Sequence, residues 1–123
     1  MKQAKRDYEK ARLDFEHSYY EWCCFTSQQA AEKAVKALYY ILNRAIRGHS
    51  IFKMLEGLKD LYNVSEEILH FGRILDRYYI GTRYPNGFPE GTPSEYFDKA
   101  TAKEALYAAG EIIRFCENIV GGL

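Results

Sequence analysis

The sequence predicts an all-α fold, an antiparallel up-and-down bundle of four long helices plus one short. Three observations carry that prediction. Apolar residues recur at spacings of three and four along most of the chain, no stretch alternates with the period of two that a strand needs, and Pro85, Pro89 and Pro93 all fall in one loop. The connections between periodic stretches are short, which makes successive helices antiparallel neighbours. With 123 residues the chain is read as one domain, residues 1–123, long enough to bury one core.

The first helix runs from Lys2 to about His17, with Ala4, Tyr8, Ala11 and Phe15 on a single apolar stripe. A second pattern, from Glu21 to about Arg47, contains no Gly or Pro and places Trp22, Phe25, Ala30, Ala34, Leu38, Ile41, Leu42 and Ala45 on its buried face. At 1.5 Å per residue such a helix is about 40 Å long and forms the spine of the bundle. Gly48 suits the left-handed position at a helix end, and Ser50 the N-cap of a third helix carrying Ile51, Met54, Leu55, Leu58, Leu61 and Tyr62. Ser65 caps a fourth, with Val64 and Leu69 at the staple positions and Ile68, Phe71, Leu75 and Tyr78 facing inward. The Gly/Pro loop that follows, beginning at Gly81, is rich in aromatics (Tyr84, Phe88, then Tyr96 and Phe97), so it is expected to lie ordered against the helices rather than behave as a linker. Thr101 and Glu104 read as the capping box of a last helix, and Ala105, Ala109, Ile112, Cys116 and Ile119 carry it to Gly121 and Gly122.

Composition narrows the classes of function. The formal net charge is zero, so the basic field of a DNA-binding domain is absent; residues 1–50 carry +3 and residues 51–123 carry −3, enough only for a local patch. The N-terminus is charged and lacks the apolar stretch of a signal peptide, and no run approaches a membrane span. Cys23 and Cys24 are adjacent and Cys116 is distant, which offers neither a disulfide framework nor zinc-ligand spacing. A reduced, cytoplasmic protein is expected. Tyrosines occur as adjacent pairs at Tyr19-Tyr20, Tyr39-Tyr40 and Tyr78-Tyr79. Neighbours on a helix point about 100° apart, so one of each pair should face outward, either at a homodimer interface or as a half-exposed surface side chain.

Several groups could carry chemistry. Lys33, Lys36, Tyr40, Arg44 and Arg47 are spaced to share one stripe of the predicted spine, where cations and an aromatic could track an RNA strand; a solvated helix face explains the same run. Asp76 can pair with Arg73 at helical spacing, and Arg83, between Gly81 and Pro85, can grip phosphate or carboxylate or cap helix carbonyls. Glu67 with His70, and Asp14 with His17, match half of a di-iron motif, but the spine supplies no obvious inward Glu, so neither metal nor cofactor is expected. Cys24 and Ser27 lack a His at helical spacing to act as base, which argues against nucleophilic catalysis.

The residues Ser27 to Ala34 (Ser-Gln-Gln-Ala-Ala-Glu-Lys-Ala), Lys36-Ala37, Gly48-His49-Ser50, Leu75 to Tyr79 (Leu-Asp-Arg-Tyr-Tyr) and Thr82 to Pro85 (Thr-Arg-Tyr-Pro) resemble, in order and over nearly the whole chain, the HEPN domain family of prokaryotes. The resemblance implies a dimerising antiparallel bundle partnered with a minimal nucleotidyltransferase in a toxin–antitoxin pair. Many members of the wider superfamily are metal-independent ribonucleases whose late-helix signature is an Arg followed four to six residues later by His. In such a site the His moves the ribose 2′-hydroxyl proton while the Arg stabilises charge on the phosphate. No His follows His70 here, so that signature is missing. Arg44 and His49 match the spacing on another element and are the weak catalytic candidates, although the Gly-His-Ser turn reads as a junction with His49 capping. Asp76, Tyr79, Arg83 and Tyr84 are the expected ligand or partner surface. The expected function is binding of nucleotide or RNA beside the nucleotidyltransferase. A toxin-type ribonuclease is the alternative, and a non-catalytic interaction module a second one.

Overall fold

The computed structural model describes residues 1–79 and 96–123. Among these residues it forms five helices and no strand: α1 (Lys2–Glu16), α2 (Tyr20–Ile41), α3 (Ile51–Glu56), α4 (Glu66–Asp76) and α5 (Lys99–Gly121). The predicted helical bundle is therefore the fold. The loop expected to be ordered lies outside the described residues, and with it Arg83 and Tyr84.

The spine, α2, lies between α1 and α5 and also touches α3 and α4, which pack on each other; α4 then meets α5. Flanked on several sides, α2 buries far more than one stripe. Cys23, Cys24, Ala30, Ala31, Ala34, Val35 and Leu38 are wholly inaccessible, the small residues letting the neighbouring helices approach. Trp22 and Ile41, by contrast, are exposed, as is Ala45, so the predicted face is only partly correct.

The spine is also shorter than its periodicity suggests. It stops at Ile41 because Asn43 takes a left-handed φ of 56°. The Asn43 amide then donates to the Tyr40 carbonyl at 3.0 Å and the Arg44 amide to the Tyr39 carbonyl at 2.9 Å, a Schellman closure that leaves no helix for Arg44 or Arg47. Asn tolerates this conformation better than other residues bearing a Cβ. Twenty-two residues span about 33 Å rather than 40. Ser18, at φ 64°, closes α1 in the same way, its amide bonding to Phe15 and that of Tyr19 to Asp14.

Ser50 and Ser65 cap α3 and α4 as expected, each hydroxyl accepting a backbone N–H at 3.1 Å, from Lys53 and Ile68 respectively. The first of these helices ends at Glu56, before Tyr62, and continues as turns that still bury Leu58. The last helix begins earlier than predicted: Asp98, rather than Thr101, is its N-cap, its carboxylate accepting the Thr101 amide at 2.8 Å. Carboxylate capping of the third amide makes the Thr/Glu box unnecessary. Each tyrosine pair diverges: Tyr39 and Tyr78 are buried while Tyr40 is 82% exposed, and Tyr19 is more exposed than Tyr20.

Helices α3 and α4 cross at Gly72. A Cβ there would lie 3.0 Å from the Phe52 Cα and amide nitrogen, which are backbone and cannot swing away. Gly72→Ala, though favoured by helix propensity, is expected to destabilise by about 1–2 kcal/mol, read as a lower midpoint in urea unfolding.

Candidate functional site

The polar groups of the bundle converge where the start of α3, the end of α4 and the middle of α2 meet. The ladder begins with Gln28, Glu32 and Lys36, four residues apart on α2 and therefore stacked on one face. Gln28 is wholly buried and Glu32 7% exposed. Gln28 Nε2 donates to Glu32 Oε1 at 2.8 Å, and Gln29 Nε2 donates to Gln28 Oε1 at 2.8 Å. The other oxygen, Glu32 Oε2, receives Lys36 Nζ at 2.7 Å and His49 Nδ1 at 2.9 Å. Burial alone would raise the Glu32 carboxyl, but the hydrogen bonds from His49, Lys36 and Gln28 outweigh it and hold the group below its ordinary value. The carboxylate stays ionised beneath the surface because donors surround it.

His49 does not cap α3; Ser50 does that, and His49 turns back across α2 to Glu32. Its ring stacks on Tyr79, centroids 4.7 Å apart and planes 17° from parallel. Its side chain is half exposed, and no described residue bonds to Nε2. Glu32, Lys36, His49 and Tyr79 thus form one cluster from three parts of the chain.

Asp76, predicted as a ligand residue, is occupied by the fold. Its carboxylate accepts Ser50 Oγ at 2.8 Å and the backbone amides of Ile51 and Phe52 at 2.8 and 3.2 Å. With the Lys53 amide bound to Ser50, all three first-turn donors of α3 are satisfied. Asp76 therefore fixes α3, and with it His49, onto the end of α4. It is a positioning residue for the cluster.

The remaining candidates scatter. The predicted cationic stripe breaks up, because Lys33 pairs with Asp7 at 2.6 Å, Lys36 is held by Glu32, and Arg44 and Arg47 lie past the helix end. Arg44 forms a two-pronged bond with Asp60 at 3.0 and 3.2 Å and reaches the Gly57 carbonyl at 3.3 Å. It staples the turn after α3 rather than joining His49, so the two catalytic candidates go to different partners. Asp14 is bound by Lys10 and Thr26, and His17 by the Leu13 carbonyl; Glu67 and His70 face solvent. Burial pushes the thiol of Cys23 up to about 11 and those of Cys24 and Cys116 to about 12, which keeps them protonated and unreactive at neutral pH.

Sequence reasoning missed Glu32 and Gln28 as site residues. The available signal was a polar ladder at steps of four inside a run of small apolar residues.

The family model described as HEPN domain matches residues 1–119. Among solved structures, the archaeal HEPN homologue ST0689 is 39% identical with a TM-score of 0.82, covering 97% of this chain and 93% of its own. The protein TT1696 from Thermus thermophilus is 36% identical with a TM-score of 0.88, covering 95% and 92%. A HEPN domain protein from Thermotoga maritima is 35% identical with a TM-score of 0.81, covering 100% and 98%. No curated protein matches the chain.

Proposed function

This chain belongs to the HEPN domain family, and from that premise we propose that it binds nucleotide or RNA at the cluster around His49 and Tyr79. In this reading residues 1–123 act as one domain, as a cytoplasmic homodimer beside a minimal nucleotidyltransferase in a toxin–antitoxin type module. The observation that carries the binding reading is the stacked His49–Tyr79 pair on an ionised, buried Glu32. A half-exposed imidazole beside an aromatic ring can hydrogen-bond a nucleotide and stack a base. Arg83 and Tyr84 follow Tyr79 in sequence and supply a guanidinium and a second ring for phosphate and base. The outward members of the tyrosine pairs, Tyr19 and Tyr40, support a self-association surface, and among the described residues no helix is long and apolar enough to cross a membrane.

Calorimetric titration with ATP, GTP and a short single-stranded RNA tests the binding, with co-purification of a co-expressed minimal nucleotidyltransferase testing the partnership. His49→Ala and Arg83→Ala are each expected to weaken ligand binding about tenfold or more with the fold intact. Unchanged ligand and partner binding in both variants would sink the reading.

The ribonuclease alternative draws on one observation, the carboxylate of Glu32 on Nδ1 of His49, which is how proteins orient a histidine base. It lacks Arg44, which is committed to Asp60. RNA cleavage in EDTA that disappears in His49→Ala would establish it.

A further inference from the structure

Beside the His49 cluster, the face that α3 and α4 share carries cations that the fold leaves without carboxylates. On other helices, helical spacing supplies partners: Lys10 has Asp14, Arg12 has Glu9, and Arg114 has Glu111. On α4 the carboxylate at that spacing from Arg73 is Asp76, and it is turned away, its oxygens taken by Ser50 and the first amides of α3. Arg73 and Arg77 are exposed and, among the described residues, enter no ion pair. They stand one turn apart on one face, about 6 Å along the axis, where like charges repel.

One of the two is also held in place. The Arg73 guanidinium lies over the Phe52 ring, 4.3 Å from its centroid. Stacking engages the face of a guanidinium and leaves the N–H donors in its plane free to fork onto an anion. A helix C-terminus favours cations for its own stability, but that preference needs no aromatic seat. Arg77 comes two residues before Tyr79, the ring stacked on His49. The two guanidiniums thus lead back along α4 from the cluster, and Lys53, exposed and next in sequence to Phe52, adds a third charge.

We propose that Arg77 and Arg73 hold successive phosphates of a single strand that reaches the His49–Tyr79 cluster, so that the ligand is a strand rather than a lone nucleotide. A guanidinium forks onto one phosphate, and two in a row fit a chain of phosphodiesters. Arg73, the farther of the two, is the one a lone nucleotide does not need. Contacts of this kind place a strand and carry no base information. The proposal rests on the binding reading above, and the two fail differently.

The test measures dissociation constants for a mixed-sequence single-stranded RNA decamer between about 50 and 200 mM salt, and for ATP beside it. Arg73→Gln and Arg77→Gln are each expected to weaken decamer binding about three- to tenfold. The double variant is expected to flatten the slope of log Kd against log salt by about 1.4, the share of two phosphate contacts on a single strand. Arg73→Lys keeps the charge and is expected to keep the slope, and Arg73→Gln to leave ATP binding unchanged. Arg6→Gln, which removes an exposed, unpaired cation from α1, is expected to change neither ligand. Decamer affinity and slope unchanged in the double variant, a loss in Arg6→Gln as large as in Arg73→Gln, or ATP binding without decamer binding would each overturn the strand proposal while leaving the nucleotide reading in place. No binding of the decamer or of ATP would overturn both.

Discussion

Asp76→Ala is expected to lower stability by about 3 kcal/mol, the largest effect of any single polar substitution considered for this bundle. One carboxylate holds three donors from the other side of the α3–α4 junction: the Ser50 hydroxyl and the amides of Ile51 and Phe52. Removing it leaves two first-turn amides of a six-residue helix without partners, and frees the Ser50 hydroxyl that caps the third. A helix that short has no stability of its own to fall back on. In a chain of this size 3 kcal/mol corresponds to a drop in Tm of about 10 °C, measured by circular dichroism. Asp76→Asn keeps one acceptor oxygen and is expected to recover about half of the loss. Because α3 carries His49 at its entrance, the Asp76→Ala protein should also lose ligand affinity in proportion to its disorder there. An unchanged melting curve would mean that α3 is held by packing alone.

Glu32→Ala is expected to cost about 2–3 kcal/mol, for a different reason. The substitution strands Gln28, which is fully buried, together with the charged end of Lys36, and releases His49 from its position. The pH dependence carries its signature. The folded carboxyl sits below its ordinary value of 4.5, so as the pH drops past that value the unfolded chain takes up the proton first. The stabilisation is therefore complete above about pH 4.5 and is lost as the pH falls through the lower, folded value. Urea unfolding of wild type and Glu32→Ala between pH 3 and 7 should show two curves well separated near neutrality that converge in acid. A gap that stays constant across this range would assign the cost to packing rather than to the carboxylate.

Local chemistry made much of the fold legible. The spacing of Ala4, Tyr8, Ala11 and Phe15, the hydroxyls of Ser50 and Ser65, and the impossibility of burying both members of a tyrosine pair are short-range properties, and each appears in the structure. Helix ends were less legible because the stopping residue was unusual. Asn43 ends α2 by adopting a left-handed φ that sequence readers expect of glycine, and Gly48, which also has a positive φ, lies farther on in the loop. With α2 ending there, the apparent cationic stripe through Arg44 and Arg47 dissolves.

The site was legible only in fragments, since its bonds join residues far apart in the chain. His49 was singled out, but its partner Glu32 lies 17 residues earlier and was hidden in a run of alanines. Asp76 was singled out too, for a ligand role, whereas 24 to 26 residues separate it from the α3 donors it holds. Period and propensity do not register such pairings. Tyr79 was picked as a binding residue, and its stacking partner was not foreseen.

The most direct measurement of the central claim is a ¹H–¹⁵N and ring-proton NMR titration of the whole chain with single-stranded RNA and, separately, with ATP. If the polar cluster is the ligand site, the resonances of His49, Tyr79 and Lys36 shift first and saturably, and those of Tyr8 on α1 and Arg114 on α5, which line a separate groove between these two helices, stay in place. Saturable shifts confined to a face remote from His49, or no shifts with either ligand, would contradict it.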